Sequence, residues 1–225
     1  MKKFAVIVAG GSGTRMGASM PKQFLLLGTK PIFCYAIEAF VEAYADITVV
    51  LVLPSDHIDK GKEIVDQYQY RNVMIVEGGT TRFASVKNGL KHIPKSSIVF
   101  VHDAVRCMVT KELIQRCYEQ AVEKGSAVPA VAATDSIRID EGTSHSIVDR
   151  SKIRIIQTPQ TFQSDMLLPA YEQEYLQSFT DEASVVEATG ATVYLIEGDY
   201  DNLKITRPMD IFIAEKILQN RRTAF

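Results

Sequence analysis

A glycine-rich segment with two basic residues follows the first apolar stretch of the chain. That stretch, residues 4–8, has the sequence of a buried parallel strand, so the glycines fall at the strand's carboxyl end. Glycines there let backbone N–H groups approach an anion closely, and Arg15 and Lys22 add two positive charges. We therefore predict a triphosphate-binding loop. Its candidate nucleotide-binding residues are Ala9, Gly10, Gly11 and Gly13.

Two other glycine motifs can be tested by their spacing. The P-loop needs a lysine followed by serine or threonine after its last glycine, and no such pair follows Gly17. In the dinucleotide motif G-x-G-x-x-G, the third glycine would stand one position earlier than Gly17. No acidic residue ends a second strand about 20 residues further on to bind a ribose. An ordinary strand-to-helix turn with solvent-exposed basic residues remains the alternative.

Other polar residues stand where further predicted strands end. Asp103 comes just after the apolar stretch of residues 98–101, so we expect its carboxylate to face the same crevice as the glycine loop; a turn or helix N-cap is the alternative. His102 has no second histidine at metal-ligand spacing, so we expect it to pack or to form hydrogen bonds. Gly79, Arg82 and Ser85 lie at another strand-to-helix transition, which an ordinary helix start explains equally well.

Apolar spacing predicts alternating strands and helices along most of the chain. Strands are expected at residues 4–8, 47–53, 73–76, 98–101, 127–131 and 192–196. Helices are expected at 31–44, from 56 to about 68, from 82, at 111–124, near 163–176, from 180 and from 208. This alternation predicts an α/β fold with a doubly wound, mostly parallel sheet and helices on both faces.

Residues 134–156 interrupt this alternation. Two short alternating stretches flank the turn-like sequence of residues 141–144, which predicts a β-hairpin arm that projects from the domain. A lone hairpin is marginally stable in water and needs something to pack against. A second subunit is the expected partner, and the protein's own sheet is the alternative.

Length and charge limit the classes of function. A chain of 225 residues without a linker-like stretch is expected to form a single domain over residues 1–225. With 25 basic and 27 acidic residues the net charge is −2, so no overall positive field favours nucleic acid. Any phosphate binding must be local, and the substrates are expected to be small molecules.

The amino-terminal sequence and the cysteines lead us to expect a cytoplasmic protein. Glycines and arginine interrupt the first apolar stretch before it reaches membrane-spanning length, so we expect a core strand there and no membrane partner. The three cysteines, Cys34, Cys107 and Cys117, have no C-x-x-C spacing. They are expected to be packing residues, without disulfides or zinc.

Several sequence segments occur in an order that resembles a known family. They are VAGGSGTRMG, MPKQF, EGGTTRFASV, VHDAVR, TDSIR, VDR, QTPQTF, TDEAS and DNLKITRPMD, and they extend from Val8 to Asp210. Together they resemble the 2-C-methyl-D-erythritol 4-phosphate cytidylyltransferases. The ribitol-5-phosphate cytidylyltransferases share most of these segments, so they are the competing family.

The resemblance implies a CTP-dependent transfer on a Rossmann-like nucleotidyltransferase fold. The phosphate of a sugar-alcohol phosphate attacks the α-phosphorus of CTP, and pyrophosphate leaves. Two anions must meet, so the reaction needs positive charge on the bridging oxygens and on the leaving group. By the family pattern Arg15 and Lys22 supply it, and Asp103 binds Mg²⁺ together with the substrate phosphates.

The family pattern also assigns the remaining basic and polar residues. Gly79, Arg82 and Ser85 would lie near the cytosine base and the ribose. Arg150 and Lys204 would position the acceptor phosphate as catalytic residues. The other predicted substrate-binding residues are Arg106, Ser136, Asp201 and Thr206. By position alone, a solvated surface charge explains any one of the basic side chains.

The same resemblance implies a homodimer. In this family the arm crosses to the neighbouring subunit, so Ser136 and Arg150 would serve the partner's site. The segment at residues 180–182 needs no catalytic role, because a polar cap followed by acids in the first turn of a helix explains it.

Three departures from the family pattern remove no charge that the chemistry needs. Cys107 replaces the usual proline, which could loosen the loop that aims Arg106. Ser136 replaces the commoner threonine and keeps a hydroxyl. The first glycine segment reads AGGSG in place of the commoner A-A-G.

Methylerythritol phosphate is the preferred acceptor, because Asp149 and Arg150 ahead of QTPQTF match that family better than the ribitol enzymes. Two different classes stay open as alternatives. A nicotinamide-dependent oxidoreductase is disfavoured by the glycine spacing. A non-catalytic nucleotide-sensing module would need neither Lys22 nor Asp103.

Overall fold

The computed structural model of the protein describes residues 1–10 and 21–223. Within these residues the strands are β1 (Lys2–Val8), β2 (Leu26–Leu27), β3 (Lys30–Pro31), β4 (Thr48–Leu53), β5 (Val73–Glu77), β6 (Ser97–Asp103), β7 (Ser126–Ala132), β8 (Arg138–Asp140), β9 (His145–Ile147), β10 (Arg154–Ile156), β11 (Gln160–Gln163) and β12 (Leu195–Glu197). The α-helices are α1 (Ile32–Ala43), α2 (Ile58–Gln67), α3 (Arg82–Leu90), α4 (Lys111–Lys124), α5 (Ser164–Ala170), α6 (Glu182–Glu187) and α7 (Pro208–Thr223).

The central sheet of the described chain has eight strands. Its order is β10-β7-β11-β6-β1-β4-β5, and β12 pairs with β7. Strands β6, β1, β4 and β5 are parallel, whereas β11 lies antiparallel between β6 and β7. The predicted α/β fold with a mostly parallel sheet is therefore confirmed.

The two faces of the sheet carry separate apolar clusters, as predicted for a doubly wound fold. Successive residues of β1 point to opposite faces, so Ile7 belongs to one cluster and Val6 and Val8 to the other. Helices α1, α2 and α4 cover the first face, where Phe40 is fully buried. Helices α3, α5 and α6 cover the second face.

The register of the parallel strands aligns their carboxyl ends. Val8 is paired with Val52 of β4 on one side and with Asp103 of β6 on the other. Backbone hydrogen bonds continue this alignment past the strands, because Ala9 N–H donates to Val52 O and Gly78 N–H to Leu53 O. Three loops are thereby brought to one edge of the sheet.

Strand β11 is a strand that the sequence analysis did not predict. Its residues Gln160 and Thr161 are polar, yet both are buried. The side chain of Gln160 accepts from Ala183 N–H and donates to Asp181, so its polar groups keep their hydrogen bonds inside the protein. Because apolar alternation is absent here, the pattern that signals strands elsewhere gave no indication of β11.

Several predicted boundaries were wrong near the carboxyl end of the chain. Helix α5 ends at Ala170, well before the predicted residue 176, and it contains Pro169, which cannot donate a backbone hydrogen bond. The strand expected at residues 192–196 is β12, which spans Leu195–Glu197. The helix at 111–124 has the predicted ends, with Thr110 as its N-cap and Gly125 in the left-handed region after it.

The predicted hairpin forms the arm, with β8 and β9 antiparallel and Arg138 opposite Ile147. All residues of both strands are exposed, and Gly142 takes a positive φ of 85° in the turn between them. The three cysteines are free and buried, which agrees with their predicted packing role. In the part of the chain described, no helix combines the length and the apolar character that crossing a membrane requires.

Candidate active site

A cavity of about 270 Å³ lies at the carboxyl edge of β1, β5 and β6. Ala9 and Gly10 border it at the end of β1, and the loop between β5 and α3 borders it at the end of β5. The predicted site residues that line it are Ala9, Gly10, Lys22, Gly79, Arg82, Ser85, Asp103 and Lys204. Gly11, Gly13 and Arg15 lie outside the described residues. The cavity therefore brings together candidates from four separate segments of the sequence.

Asp103 lies among positive charges at this cavity. Its Oδ1 accepts from Nε and Nη2 of Arg82, both at 3.2 Å, and its Oδ2 accepts from Lys204 Nζ at 2.8 Å. Arg106 Nε is 4.0 Å from the same Oδ2. Burial by itself would raise the pKa of Asp103, but these cations offset burial and hold the pKa well below its ordinary value. The carboxylate is therefore ionised at neutral pH.

The guanidinium of Arg82 is shared between two carboxylates. Besides Asp103 it binds both carboxylate oxygens of Glu182, with Nη2 at 3.1 Å from Oε2 and Nη1 donating to Oε1. Burial would lower the pKa of Arg82, and the two carboxylates raise it well above its ordinary value. Arg82 thus keeps its charge beside the cavity.

Glu182 is a residue that the sequence analysis missed. Residues 180–182 were explained there as a helix cap, and Asp181 is indeed the N-cap of α6, accepting from Ser184 N–H. Glu182, however, is fully buried together with Val185 and Val186. Because residues at i, i+3 and i+4 share one helix face, the placement of a glutamate on the apolar face of α6 was the signal for a buried ion pair.

The loop between β5 and α3 approaches its own helix closely. Gly79 N–H donates to Ser85 Oγ at 3.0 Å, and the Ser85 hydroxyl donates to Thr81 O at 2.9 Å. A Cβ at position 79 would come within 2.4 Å of Ala84 Cβ, so only glycine fits there without a shift. Ser85 thus shapes the cavity wall, and its predicted part in recognising the base stays a prediction.

The segment after the glycine loop is tied to two other parts of the site. Lys22 begins a short 3₁₀ helix (Lys22–Phe24), and its Nζ donates to Ile205 O at 2.9 Å. The next residue, Gln23, is buried and donates to Ala9 O at the end of β1. Lys22 and Lys204 therefore lie at the same cavity although 182 residues separate them in the sequence.

Arg106 and Thr206 lie next to the cavity but do not line it. Arg106 is largely buried and donates to Asn202 O at 2.8 Å and to Ile156 O at 3.3 Å. These bonds hold it in place although Cys107 follows it. Thr206 donates through its N–H and its hydroxyl to Asp210 at the start of α7. The bonds of Arg106 thus join three distant chain segments beside the cavity, whereas the bonds of Thr206 are local to the start of α7.

Ser136, Arg150 and Asp201 lie elsewhere in this chain. Ser136 and Arg150 are exposed on the arm, and Arg150 donates to Thr134 O at 2.7 Å. Asp201 lines a larger groove of about 830 Å³, beside β7, β10 and β12, together with Arg154. Of the candidates that the structure describes, Ala9, Gly10, Lys22 and Asp103 do not line that groove. Within one chain the structure does not bring these residues to the cavity.

His102 is buried directly behind Asp103. Its Nε2 donates to Arg106 O, and its Nδ1 accepts from the Thr158 hydroxyl, which itself accepts from Asp103 N–H. This pattern needs the neutral ring, with its proton on Nε2. Burial lowers the pKa of His102 to about 4. The prediction of a hydrogen-bonded histidine is thus confirmed.

The donor set limits how a metal ion could be held. Among residues 1–10 and 21–223, no group of three or more His, Cys, Asp or Glu side chains could hold a metal ion. Asp103 is a single carboxylate beside basic groups that suit phosphates. This set fits a hard cation such as Mg²⁺ that takes one protein carboxylate and completes its shell with substrate phosphates and water.

The arrangement suits a polyanionic ligand. Lys22, Arg82 and Lys204 present ammonium and guanidinium groups at a cavity formed where parallel strands end. Arginine can bind phosphate through two parallel hydrogen bonds, and lysine acts as a point charge. The cavity can therefore stabilise negative charge that develops or moves between phosphate groups.

Comparisons with known proteins agree with this geometry. The family model for IspD, 2-C-methyl-D-erythritol 4-phosphate cytidylyltransferase, matches residues 4–220. The 2-C-methyl-D-erythritol 4-phosphate cytidylyltransferase of Bacteroides thetaiotaomicron is 42% identical over 219 residues, which cover 97% of this chain and 100% of that protein. The protein of the same name from Porphyromonas gingivalis is 43% identical over 219 residues, covering 96% of this chain and 98% of its own.

Solved structures give the same result. The 2-C-methyl-D-erythritol 4-phosphate cytidylyltransferase from Thermus thermophilus superposes with a TM-score of 0.78 at 30% identity, covering 97% of this chain and 100% of that one. The bifunctional IspDF from Campylobacter jejuni gives a TM-score of 0.82 at 29% identity over 95% of this chain. This chain spans 54% of the length of that bifunctional protein. This chain therefore belongs to the family of the 2-C-methyl-D-erythritol 4-phosphate cytidylyltransferases.

Proposed function

We propose that the protein is a nucleotidyltransferase that transfers the cytidylyl group of CTP to 2-C-methyl-D-erythritol 4-phosphate, in isoprenoid precursor synthesis. A phosphate oxygen of the acceptor forms a bond to the α-phosphorus of CTP. The bond from that phosphorus to the bridging oxygen breaks, and pyrophosphate leaves. The observation that carries the proposal is the convergence of Lys22, Arg82, Asp103 and Lys204 at one cavity.

The basic residues of the cavity supply what this reaction needs. Both reactants are anions, so their approach and the departure of pyrophosphate require fixed positive charge. Lys22 stabilises the triphosphate together with Arg15, and Lys204 positions the acceptor phosphate for in-line attack. The site includes the remaining loop residues Gly11 and Gly13 and the loop around Gly79. These residues bind and orient the nucleotide, which raises the effective concentration of the reacting groups.

Asp103 is the residue that would hold Mg²⁺, with the substrate phosphates as its other ligands. When bound, the ion neutralises charge on the phosphates. Lys204 and Arg82 contact Asp103 in the structure, and both are groups that bind phosphate well. On substrate binding we expect Lys204 to turn toward the phosphates and to free the Asp103 oxygen that it contacts, while Arg82 keeps its place at the cavity wall.

The arm completes the site in a homodimer. Ser136 and Arg150 of one subunit would contact the acceptor in the partner's cavity, with Arg106 and Thr206 supporting the loops around it. Asp201 stays a predicted substrate-binding residue, although it lines a different groove of its own chain. Two observations support the assignment of the arm to the partner's cavity. Arg150 does not reach the cavity of its own chain, and Ile139 and Ile147 leave apolar surface exposed on the arm. The catalytic unit of each subunit is a single domain over the whole chain.

The identity of the acceptor, 2-C-methyl-D-erythritol 4-phosphate or ribitol 5-phosphate, distinguishes the proposed enzyme from the competing family. Relatives 42% to 43% identical carry the methylerythritol name, which supports this acceptor over ribitol 5-phosphate. The nicotinamide-dependent oxidoreductase and the nucleotide-sensing module find no support in these relatives. The experiment is to supply CTP and Mg²⁺ with each acceptor in turn and to follow pyrophosphate release. Fast turnover with ribitol 5-phosphate, or none with either acceptor, would overturn the proposal.

A charge-removing variant tests the cavity within the same assay. Lys204→Met deletes the ammonium beside Asp103, and we expect kcat/KM to fall about 100-fold or more, because one preorganised donor contributes that much in comparable sites. Lys62→Met is the matched control, since Lys62 is an exposed residue that pairs with Asp59 three positions earlier and does not line the cavity. The control should keep wild-type activity. A Lys204→Met enzyme within about threefold of wild type would show that the cavity is not the site.

A further inference from the structure

Glu182 is a fully buried carboxylate on the first turn of α6. A buried carboxylate is costly unless a positive partner and hydrogen bonds compensate it. Its partner is Arg82, which lines the cavity, so the buried charge is connected directly to the candidate active site. Glu182 is not among the residues proposed to bind the nucleotide, the metal ion or the acceptor phosphate.

The hydrogen bonds of Arg82 favour Glu182 over Asp103. The guanidinium binds both carboxylate oxygens of Glu182, one with each terminal nitrogen, whereas of Asp103 it binds Oδ1 alone, through two bonds of 3.2 Å. Asp103 receives a closer contact from Lys204, at 2.8 Å on its other oxygen. Glu182 therefore competes with Asp103 for the Arg82 guanidinium and weakens the electrostatic interaction between Arg82 and Asp103.

Glu182 is itself held in place by surrounding elements. The Tyr171 hydroxyl donates to Glu182 Oε1 at 3.2 Å. The start of α6 is fixed to β11, since Gln160 binds both Asp181 and Ala183 N–H. A connected set of bonds thus runs from the buried strand through α6 to Arg82 and Asp103, and it fixes the guanidinium at the cavity wall.

We propose that Glu182 is a positioning residue. It holds the Arg82 guanidinium at the cavity wall and weakens the ion pair between Arg82 and Asp103, so that the Asp103 carboxylate stays available to a divalent cation. This inference rests on the proposed function for the identity of the metal–nucleotide ligand. Residues behind a metal ligand commonly tune metal affinity in this way, through the groups that contact the ligand.

The variant Glu182→Gln tests the charge, because glutamine has nearly the same size and keeps a carbonyl oxygen. We expect Arg82 to turn more fully onto Asp103. The Mg²⁺ concentration for half-maximal activity should rise about tenfold, a usual effect of changing such a residue. At saturating Mg²⁺, kcat should fall much less than this. A general loss of structure would instead lower activity at every Mg²⁺ concentration.

A binding measurement makes the test independent of turnover. Isothermal titration calorimetry with CTP and no acceptor, with and without Mg²⁺, measures nucleotide affinity directly. For Glu182→Gln, the affinity gained by adding Mg²⁺ should be about tenfold smaller than in wild type, with affinity for metal-free CTP maintained. Equal Mg²⁺ dependence in the variant and in wild type, by both measurements, would overturn the inference.

Two further variants separate positioning from stability. Thr110→Ala removes the side-chain cap of α4, a helix none of whose residues lines the cavity, so it should lower the melting temperature and leave the Mg²⁺ dependence unchanged. If it shifted the Mg²⁺ dependence as much as Glu182→Gln, the effect would be structural and the inference wrong. Tyr171→Phe removes one hydrogen bond to Glu182 and should shift the Mg²⁺ dependence in the same direction by less.

Tyr171→Phe also keeps the test decisive if Glu182→Gln fails to fold, because an unchanged Mg²⁺ dependence in Tyr171→Phe would then overturn the inference. Failure of the proposed function has a different outcome. In that case the wild-type enzyme releases no pyrophosphate with 2-C-methyl-D-erythritol 4-phosphate, whereas the calorimetric comparison of Glu182→Gln with wild type can still be made.

Discussion

Asp103 and the charges around it show how far single residues could be assigned from the sequence. The carboxylate was predicted to face the crevice because it follows a buried strand, and it lines the cavity. Its contacts could not be predicted, since Arg82, Arg106 and Lys204 come from three distant segments of the chain. Arg106 was expected at the substrate, and in the structure its guanidinium binds two backbone carbonyls next to the cavity.

His102, directly behind Asp103, should make the protein less stable in acid. Its pKa is about 4 in the folded protein, and an exposed histidine has about 6.5. Between these values the unfolded chain takes up a proton that the folded protein excludes. The stability is therefore fully present above about pH 6.5 and is lost as the pH falls toward 4. From pH 7.5 to pH 5.0, this one group should lower the free energy of unfolding by about 2 kcal/mol.

Urea unfolding of wild type and His102→Gln at both pH values measures this contribution. The variant lacks the titrating ring, so its free energy of unfolding should change less with pH than that of wild type. The other histidines and the carboxylates are common to both proteins and cancel in the comparison. An identical pH dependence in the two proteins would rule out His102 as the cause.

Among the elements, α3 and α6 matter most because they position the cavity wall. Helix α3 begins with Thr81 as its N-cap and carries Arg82 on its first turn. Helix α6 brings Glu182 to Arg82 from the same face of the sheet. Elements with regular apolar spacing were predicted well, as at residues 111–124. The short α6 and the polar strand β11 depend on contacts with distant segments, which local sequence patterns do not report.

The contact of α3 with the sheet leaves no space at Gly89. A Cβ there would lie 2.7 Å from Val6 Cγ1 and 3.1 Å from Val52 Cγ2, so the helix would have to move away from β1 and β4. Gly89→Ala should therefore lower the free energy of unfolding by about 1–3 kcal/mol, despite the better helix propensity of alanine. Denaturant unfolding measures the change.

Lys87→Ala is the control for this helix, because position 87 is on α3 but partly exposed. Its effect should stay within about 0.5 kcal/mol. If Gly89→Ala were as stable as wild type, the close packing of α3 on the sheet would be refuted. Because α3 carries Arg82, we also expect Gly89→Ala to weaken CTP binding.

At the scale of the whole molecule, the proposed exchange of the arm implies that one chain is not sufficient for activity. Ser136 and Arg150 are exposed on the arm and do not line the cavity of their own chain, and the exposed fractions of Ile139 and Ile147 are 55% and 78%. Apolar side chains on a marginal hairpin need a packing partner. The proposed homodimer supplies one and brings the arm to the partner's site.

Mixed dimers test whether the sites are shared. Lys204→Met and Arg150→Ala should each be nearly inactive alone. After subunit exchange, a mixed dimer has one site with both residues intact, so random exchange should restore about a quarter of wild-type activity. Exchange itself is verified with differently tagged subunits. Proven exchange without any recovery would show that Arg150 does not serve the neighbouring cavity.

Family and fold class were determined by the sequence alone. The spacing of apolar residues is a property of residues close together in the sequence. The parallel strands β1, β4 and β6 and helices such as α4 could therefore be predicted from it. The ordered segments from Val8 to Asp210 carried the family, which the comparisons confirm. Asp103 and the glycine segment could be placed at one edge because parallel strands end together.

Only the tertiary structure decided how the charges are paired. Arg82 lies 21 residues before Asp103 and 100 before Glu182, and nothing in the local sequence indicates which carboxylate it binds. Likewise, β11 is polar in sequence and becomes a buried strand because distant groups satisfy its hydrogen bonds. Such contacts depend on the packing of the whole sheet and its helices, and no pattern of nearby residues contains that information.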